Sequence, residues 1–429
     1  MPERPLKGRD MATGYLEILR ARHALRLLTG TLVGRLPNAV APIAMVLFVR
    51  AEGGTYSLAG ALAAVYGVAN AVGQPLLGRL VDLYGQPRVQ LPAAVASALA
   101  MAGFAFCGIG PLGLAYALVA LSGLCTPPLE GGLRALWPSV LRRGDQVHTA
   151  YALDAVAQEV MFTVGPLLVT LCVSVWSERA ALLVLNALGV LGALWVVVSA
   201  PSRAWRSEPR EAHWLGALRS RGLLALLGAF LFVGIAMGSI TVASVSYADG
   251  HGGDAVYGWM MAGLGLGALA GGTVYGARRW SGAPERRLRA LVALLAVCYL
   301  PLLSMPGPVA MVLLSVVAGV FLAPCIACAF IIVDRHAPAG TVTEAFSWLV
   351  TTFMVGASVG TGLAGPVVQS GGASWGFALP GVAGGVSLLV LLATGRVLSA
   401  PAGGGVVAAS SENDPDRAAE PRFSSGDRA

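Results

Sequence analysis

The sequence predicts an all-α polytopic membrane protein with twelve transmembrane helices in two six-helix bundles. Of its 429 residues, 56% are apolar and only 12% are charged, and the mean hydropathy is +0.72. An average soluble protein carries about 25% charged residues, so this composition excludes a soluble globule. Strands are not expected, because the apolar segments are long, rich in Leu, Ala and Gly, and lack an alternating pattern.

Twelve apolar segments are long enough to cross a bilayer. A helix of roughly 20 apolar residues crosses a hydrocarbon core about 30 Å thick. The segments are 27–49, 57–78, 89–109, 112–136, 149–175, 180–200, 223–247, 256–277, 288–305, 309–333, 344–367 and 374–395. The first is too long, and too closely followed by others, to be a cleaved signal peptide.

The basic residues predict the orientation. If both termini are cytoplasmic, all of the 29 basic residues except Arg35, Arg50 and Arg179 fall in cytoplasmic tails, loops and span ends. This asymmetry follows the positive-inside rule. We therefore expect both termini in the cytoplasm.

A polar stretch after the sixth span divides the chain. We expect a cytoplasmic tail at 1–26, a bundle at 27–200, a cytoplasmic linker at 201–222, a second bundle at 223–396 and a disordered cytoplasmic tail at 397–429. The two bundles share spacing, which indicates an internal repeat. Such parallel repeats are typical of transporters whose substrate site lies between the bundles.

Two matches carry the repeat. Gly78 ends span two before a basic loop, and Gly276 ends span eight in the same way. Span five begins around Tyr151 and span eleven around Phe346, at nearly the same separation.

The loop after span two resembles the loop 2–3 signature of the major facilitator superfamily, G-x-L-a-D-r-x-G-r-r-r. Residues 78–88 read GRLVDLYGQPR and match this signature at Gly78, Leu80, Asp82, Gly85 and Arg88. Through topology the resemblance covers about 20–397. It implies that spans 1, 4, 7 and 10 line a central cavity, that span two packs against eleven, and that span five packs against eight.

The resemblance also implies a conformational gate, formed by Gly78, Asp82, Gly85, Arg88 and Arg134. Its aspartate, Asp82, would form a charge network with the base of span four, where it would pair with Arg134, and with the start of span eleven, and this network would hold the outward-facing state. Gly165 and Pro166 in span five are similar to the core of the family's antiporter motif, although the following glycines and the span-four arginine of that mechanism are replaced.

Polar side chains inside the spans are candidate cavity residues, because ionisable groups in a bilayer are costly. The candidates are Arg35 and Asn38 in span one, Ser122, Thr126 and Glu130 in span four, and Ser239, Thr241 and Ser244 in span seven. Two alternatives stay open. Arg35 could snorkel to the headgroups, and Glu130 could simply neutralise Arg134 one turn away.

Span five supplies the candidates for proton coupling, Glu159 and Asp154. Burial raises a carboxylate pKa and a nearby arginine lowers it, so a carboxylate there can exchange a proton as its surroundings alternate. Arg35 is the candidate counter-charge of Glu159. The alternative is a static ion pair between spans one and five.

Together these features predict a secondary active transporter that moves a small organic molecule by alternating access, with proton-coupled efflux. The alternatives are an uptake symporter for a sugar, amino acid or organic anion, and a non-transporting membrane sensor. The sequence has no H-E-x-x-H or G-x4-G-K-[ST] motif, so we expect no enzyme, metal or cofactor. The expected partners are the lipid bilayer, the substrate and a proton, with no nucleic acid and no obligate protein, and the expected location is a bacterial inner membrane.

Overall fold

The computed structural model describes residues 11–141, 144–209, 213–278, 280 and 282–399, and the regular structure of these residues is helical throughout. The predicted N-terminal tail before residue 11 and most of the predicted C-terminal tail, from residue 400 onward, lie outside the described residues. The fold class predicted from composition is therefore confirmed as all-helical.

Sixteen α-helices cover most of the described chain. They are α1 (Met11–Arg20), α2 (Ala24–Ala51), α3 (Tyr56–Tyr84), α4 (Gln86–Cys107), α5 (Leu112–Leu124), α6 (Leu129–Val140), α7 (Gly144–Val175), α8 (Glu178–Val197), α9 (Ala200–Ala204), α10 (Arg221–Asp249), α11 (Asp254–Ala277), α12 (Pro284–Tyr299), α13 (Pro308–Gly319), α14 (Leu322–His336), α15 (Val342–Ala393) and α16 (Gly395–Ser399). Two 3₁₀ helices lie at Gly216–Arg219 and Leu300–Ser304. We call α2–α8 the first half and α10–α15 the second half.

Eleven helical stretches of the described residues are long and apolar enough to cross a membrane. Two of them consist of two α-helices in series: α5 with α6 at Leu112–Val140, and α13 with α14 at Pro308–His336. These are the predicted spans four and ten. The fourth span of each half is thus interrupted.

The last stretch, α15, covers both predicted spans eleven and twelve and folds back within itself. A straight helix of its 52 residues would be about 78 Å long at 1.5 Å per residue. At Gly372 the backbone is non-helical, with φ 76° and ψ −177°, a conformation that favours glycine. The two arms then run along α10 in opposite directions. The contacts are Gly356 with Leu231, Gly360 with Ile235, Gly376 with Ala243 and Ser387 with Ala229. This reversal is what two separate spans require, and the number of membrane crossings stays a prediction.

Prolines cause the break in span four, and hydrogen bonds from side chains of neighbouring helices stabilise it. Prolines lack the backbone N–H that continues a helix, and two of them lie in the connection at 125–128. The carbonyls freed there are bonded from outside, since Ser97 Oγ donates to Ser122 O at 2.8 Å and Gln74 Nε2 donates to Thr126 O at 3.1 Å. Irregular backbone at membrane depth is stable only when it is satisfied in this way.

The two halves meet through equivalent glycines. A Cβ atom at Gly78 of α3 would lie 2.8 Å from Ser347 Oγ, at the start of α15. A Cβ atom at Gly276 of α11 would lie 2.5 Å from Ala152 Cβ, at the start of α7. The expected packing of span two against eleven, and of span five against eight, is confirmed by these contacts.

These contacts between the halves lie at one end of the molecule. We call it the basic end, because arginines cluster near the ends of α3, α6, α11 and α14 and in the segment that follows α8. Gly60 lies five turns before Gly78 on the same face of α3, and Gly365 lies five turns after Ser347 on the same face of α15. A Cβ atom at Gly60 or Gly365 would have no neighbour within 4 Å among the described residues. The two helices are therefore in contact at the basic end and apart at the opposite end.

Candidate functional site: a buried charge cluster beside an interdomain gate

Two arginines and two carboxylates form a buried cluster in the first half. An Arg35 Nη2 nitrogen lies 2.6 Å from Glu130 Oε1, and Nη1 lies 3.2 Å from Asp154 Oδ1. Arg134 Nε donates to Asp154 Oδ2 at 2.7 Å, and its Nη2 lies 3.4 Å from Glu130 Oε2. Gln158 Oε1 accepts from both guanidinium groups, at 3.0 and 3.5 Å. Each carboxylate therefore bridges both arginines, and the four charges balance.

Helical spacing assembles the cluster. Glu130 and Arg134 lie one turn apart on α6, and Asp154 and Gln158 lie one turn apart on α7, so each pair presents one face. Arg35 is only 3% exposed, which makes the snorkelling alternative wrong. The static tie between spans one and five exists, but its α7 members are Asp154 and Gln158.

The expected pairing of Arg35 with Glu159 is therefore wrong. Glu159 follows Gln158 directly, and successive helical residues point about 100° apart around the axis. Val156, three residues before Glu159, lies against Gly272 of α11. Glu159 thus belongs to the face of α7 that is turned toward the second half, where it is partly exposed.

Asp82 binds the beginning of α15. Its two carboxylate oxygens accept the backbone N–H groups of Thr343 at 3.1 Å and Glu344 at 2.9 Å, and the side chain is buried. The first N–H groups of a helix have no partner within the helix, and the helix dipole favours an anion there. The predicted ion pair between Asp82 and Arg134 is wrong. Asp82 accepts hydrogen bonds from these amides, and Arg134 is paired with the acids of the cluster.

The two glycines of the signature shape this contact. Gly78 allows the close approach of α3 to α15. Gly85 ends α3 with φ 88°, a conformation suited to glycine, which leaves Asp82 in the last turn. Arg88 is exposed and makes no hydrogen bond or ion pair with any described residue.

Three aromatic rings close the basic end between the halves. The centroids of Tyr151 from α7, Phe330 from α14 and Phe346 from α15 are 5.9–6.0 Å apart, and all three side chains are fully buried. The Arg134 Cζ atom lies 3.7 Å from the centroid of Phe330 and 5.9 Å from that of Phe346. We call these three rings the aromatic gate. The sequence analysis missed it, although Tyr151 and Phe346 are the equivalent positions on which the repeat was recognised.

Neutral polar side chains form a second network near the break in span four. Asn70 Nδ2 donates to Asn38 Oδ1 at 2.9 Å, and Gln74 Nε2 lies 3.3 Å from Asn70 Oδ1. The hydroxyls of Tyr66 and Thr126 lie 3.3 Å apart. Asn38, Tyr66 and Thr126 also line a cavity of about 20 Å³, which is room for about one water molecule. Asn70 and Gln74 were missed, because only their polarity marks them on span two.

The hydroxyl candidates do not join the cluster. Ser122 Oγ lies 3.2 Å from Ser97 Oγ inside the first half. In the second half, Ser239 and Thr241 donate to carbonyls of their own helix, and Ser239 is fully buried. Ser244 is also fully buried, and its Oγ has no hydrogen-bond partner among the described residues.

The geometry defines a class: a multi-pass helical membrane protein whose halves meet at one end through a carboxylate-capped helix and an aromatic gate. The chain belongs to the Major Facilitator Superfamily, whose family model matches residues 27–342. Members of this family are transporters. A search of curated protein sequences finds no match.

Solved structures share the fold. A bacterial homologue of the iron transporter ferroportin, in an outward-facing state, is 15% identical with a TM-score of 0.68, over 87% of this chain and 99% of that chain. The Escherichia coli fucose:proton symporter FucP is 14% identical with a TM-score of 0.65, over 89% of this chain and 100% of its own. The human organic anion transporter MFSD10 is 18% identical with a TM-score of 0.62, over 90% and 100%. At these identities the likeness shows the fold alone.

Proposed function

We propose that this chain is a secondary active transporter of a bacterial inner membrane, and that it exports a small amphiphilic organic molecule in exchange for protons. The observation that carries the proposal is the one-sided contact between the halves. Bundles at 27–200 and 223–396 whose described helices α3 and α15 are in contact at the basic end and apart at the opposite end can rock about that contact and expose a central cavity alternately to the two sides.

The conformation supports alternating access. The basic end is the predicted cytoplasmic end, so closure there corresponds to an outward-facing state. The contacts that close it are hydrogen bonds and ring packing between separate helices, which can be exchanged without unfolding either half. The hydrogen bonds from the amides of α15 to Asp82 are one such contact. The family signature implied that Asp82 holds this end closed, but with Arg134 as its partner.

Glu159 is the better supported proton carrier of the two candidates. It lies on the α7 face toward the second half, so its surroundings change when the halves move apart. Asp154 bonds both buried arginines. Protonating Asp154 would leave two guanidinium groups facing one carboxylate, which is costly in a buried site.

The cluster argues against a substrate carboxylate bound by Arg35, as the organic-anion alternative requires. Arg35 is already bonded to Glu130, Asp154 and Gln158, and a substrate anion would have to displace one of the acids. Among the described residues, no group of three or more His, Cys, Asp or Glu is placed to hold a metal ion. The direction of transport rests on the similarity of Gly165 and Pro166 to the antiporter motif.

The test uses proteoliposomes with an internal pH dye and an imposed proton gradient. A panel of amphiphilic compounds is added, and compounds that dissipate the gradient only in the presence of protein are substrates. Glu159→Gln should lose gradient-driven accumulation and keep substrate-for-substrate exchange, since exchange needs no net proton transfer. Glu52→Gln is the control, because Glu52 is an exposed acid paired with Arg179 at the opposite end. Accumulation at the wild-type rate in Glu159→Gln would refute the proton-carrier role.

Direction is read from the same vesicles. Export predicts accumulation in everted membrane vesicles when the interior is acidic. Accumulation only in right-side-out vesicles, driven by external acid, would establish the uptake alternative instead.

A further inference from the structure

We propose that Arg134 couples the buried charge cluster to the aromatic gate. Phe330 is the residue of the second half whose packing depends on the position of Arg134. This inference rests on the alternating access proposed above. It assigns to Arg134 a positioning role that neither the signature nor the cluster alone indicates.

The guanidinium group of Arg134 contacts both halves, each through a different part of the group. Its edge atoms Nε and Nη2 bind Asp154 and Glu130 of the first half. Its face lies against the ring of Phe330 of the second half, with Cζ 3.7 Å from the centroid. A planar guanidinium can do both at once, because its donors lie in the plane and its faces are free to stack.

The remaining nitrogen supports this arrangement. Arg134 Nη1 is buried and has no hydrogen-bond partner among the described residues. The side chain as a whole has 0% exposure. The ring of Phe330 therefore supplies stabilisation that water or a hydrogen bond would otherwise give to this cation.

The rest of the gate strengthens the contact. Tyr151 and Phe346 pack around Phe330 with centroid distances of 6.0 Å each. Cation–π contacts reach the upper part of their range when they are desolvated. Opening the basic end must lift Phe330 off the guanidinium, while Asp154 and Glu130 stay with Arg134 in the first half. The acids that fix Arg134 thus set how firmly the gate closes.

Phe330→Leu is the main test variant, because it removes the ring face and keeps an apolar side chain. The readout is hydrogen–deuterium exchange of the full chain in lipid nanodiscs, at the amides of 343–347. These amides lie at the closed basic end, and their exchange rate follows the population of the open state. We expect the rate to rise roughly tenfold or more. Phe346→Leu should give a smaller rise, because its centroid is 5.9 Å from Arg134 Cζ.

The matched control is Phe377→Leu. Phe377 is as deeply buried in the second half and packs edge-on against Tyr247, away from the gate. It should leave the exchange rate at 343–347 unchanged. In an Arg134→Met background that still folds, Phe330→Leu should add no further increase, since the partner of the ring is already gone.

Three outcomes would overturn the inference: equal rises in Phe330→Leu and Phe377→Leu, a larger rise in Phe346→Leu than in Phe330→Leu, or no rise in Phe330→Leu while the wild-type amides exchange through a sub-global opening. The first two would make the effect one of ring packing alone. A different result bears on the proposed function itself. If the wild-type amides at 343–347 exchange only through global unfolding, the halves do not separate there.

Discussion

Asp82→Asn is the substitution that tests the contact between α3 and α15 most directly. The wild-type carboxylate accepts two backbone N–H groups, at 3.1 and 2.9 Å, in a buried position. A hydrogen bond to a charged group contributes about 1.5–3 kcal/mol. Asparagine keeps one oxygen acceptor, but its NH₂ group then faces the second N–H donor and the charge that complements the helix dipole is gone.

We therefore expect Asp82→Asn to weaken the closed basic end by about 2 kcal/mol, near the lower part of the range for one charged hydrogen bond. At about 1.4 kcal/mol per tenfold, this is a shift of about thirtyfold toward the state open at the basic end. Because the loss concerns a contact between the halves, the amount of protein in the membrane should hardly change.

The assay is alkylation of a cysteine introduced at Ser347, which lies against Gly78 in the closed state and is 2% exposed. A membrane-impermeant maleimide is added to everted vesicles, and the rate is corrected for the natural cysteines. The rate should rise about thirtyfold in Asp82→Asn, as the shift predicts. Asp249→Asn serves as the control, because Asp249 is an exposed aspartate at the end of α10. A wild-type labelling rate in Asp82→Asn at normal abundance would refute the reasoning, because it would show that the Asp82 carboxylate does not hold the basic end closed.

Three further predictions concern stability and closure. Asp154→Asn should lower the stability of the purified protein by about 3–5 kcal/mol, because it leaves the two buried arginines sharing one carboxylate, and denaturant unfolding in detergent should detect this loss. Gly78→Ala should impair closure in the same labelling assay, since its Cβ would meet α15. Gly67→Ala on the same helix face should be neutral, because no described atom lies within 4 Å of a Cβ there. Equal effects of the two substitutions would contradict the steric argument. Tyr15→Phe should open the basic end by only about 1 kcal/mol, because it removes the hydroxyl that donates to two carbonyls of α11, and a thirtyfold effect in labelling would contradict it.

The spans could be predicted because an apolar segment of this length has few alternatives to a helix in a bilayer. The seventh, predicted at 223–247, is observed at Arg221–Asp249. Span four was harder to predict, since apolar composition continues through the break at 125–128 and only the prolines mark it. The reversal at Gly372 also follows from sequence, because two spans need a turn between them.

The four charged members of the cluster and the pairing of Glu130 with Arg134 along one helix could be predicted, but the pairings between helices could not. Spacing places Glu130 and Arg134 on one face of a helix, yet it does not say which face of the neighbouring helix meets them. A single step along α7 separates Gln158, which belongs to the cluster, from Glu159, which faces the second half. Pairing across helices depends on rotation about each helix axis, which apolar flanking sequence leaves undetermined.

The aromatic gate could not be recognised for a different reason. Phe330 and Phe346 lie in apolar helices, where an aromatic residue gives no contrast with its surroundings. Their significance comes from Arg134, which lies on another helix of the other half. The repeat did mark Phe346 together with Tyr151, so internal symmetry carried the only signal of this contact.

The balance of charges in the cluster has a consequence for the energetics of transport across an energised membrane. A potential of 100 mV does about 2.3 kcal/mol of work on each elementary charge that crosses it. Arg35 and Arg134 move together with Glu130 and Asp154, so any displacement of the whole cluster carries no net charge through the field. The voltage therefore neither drives nor opposes this part of the conformational change, and electrical sensitivity in this protein must come from charges outside the cluster.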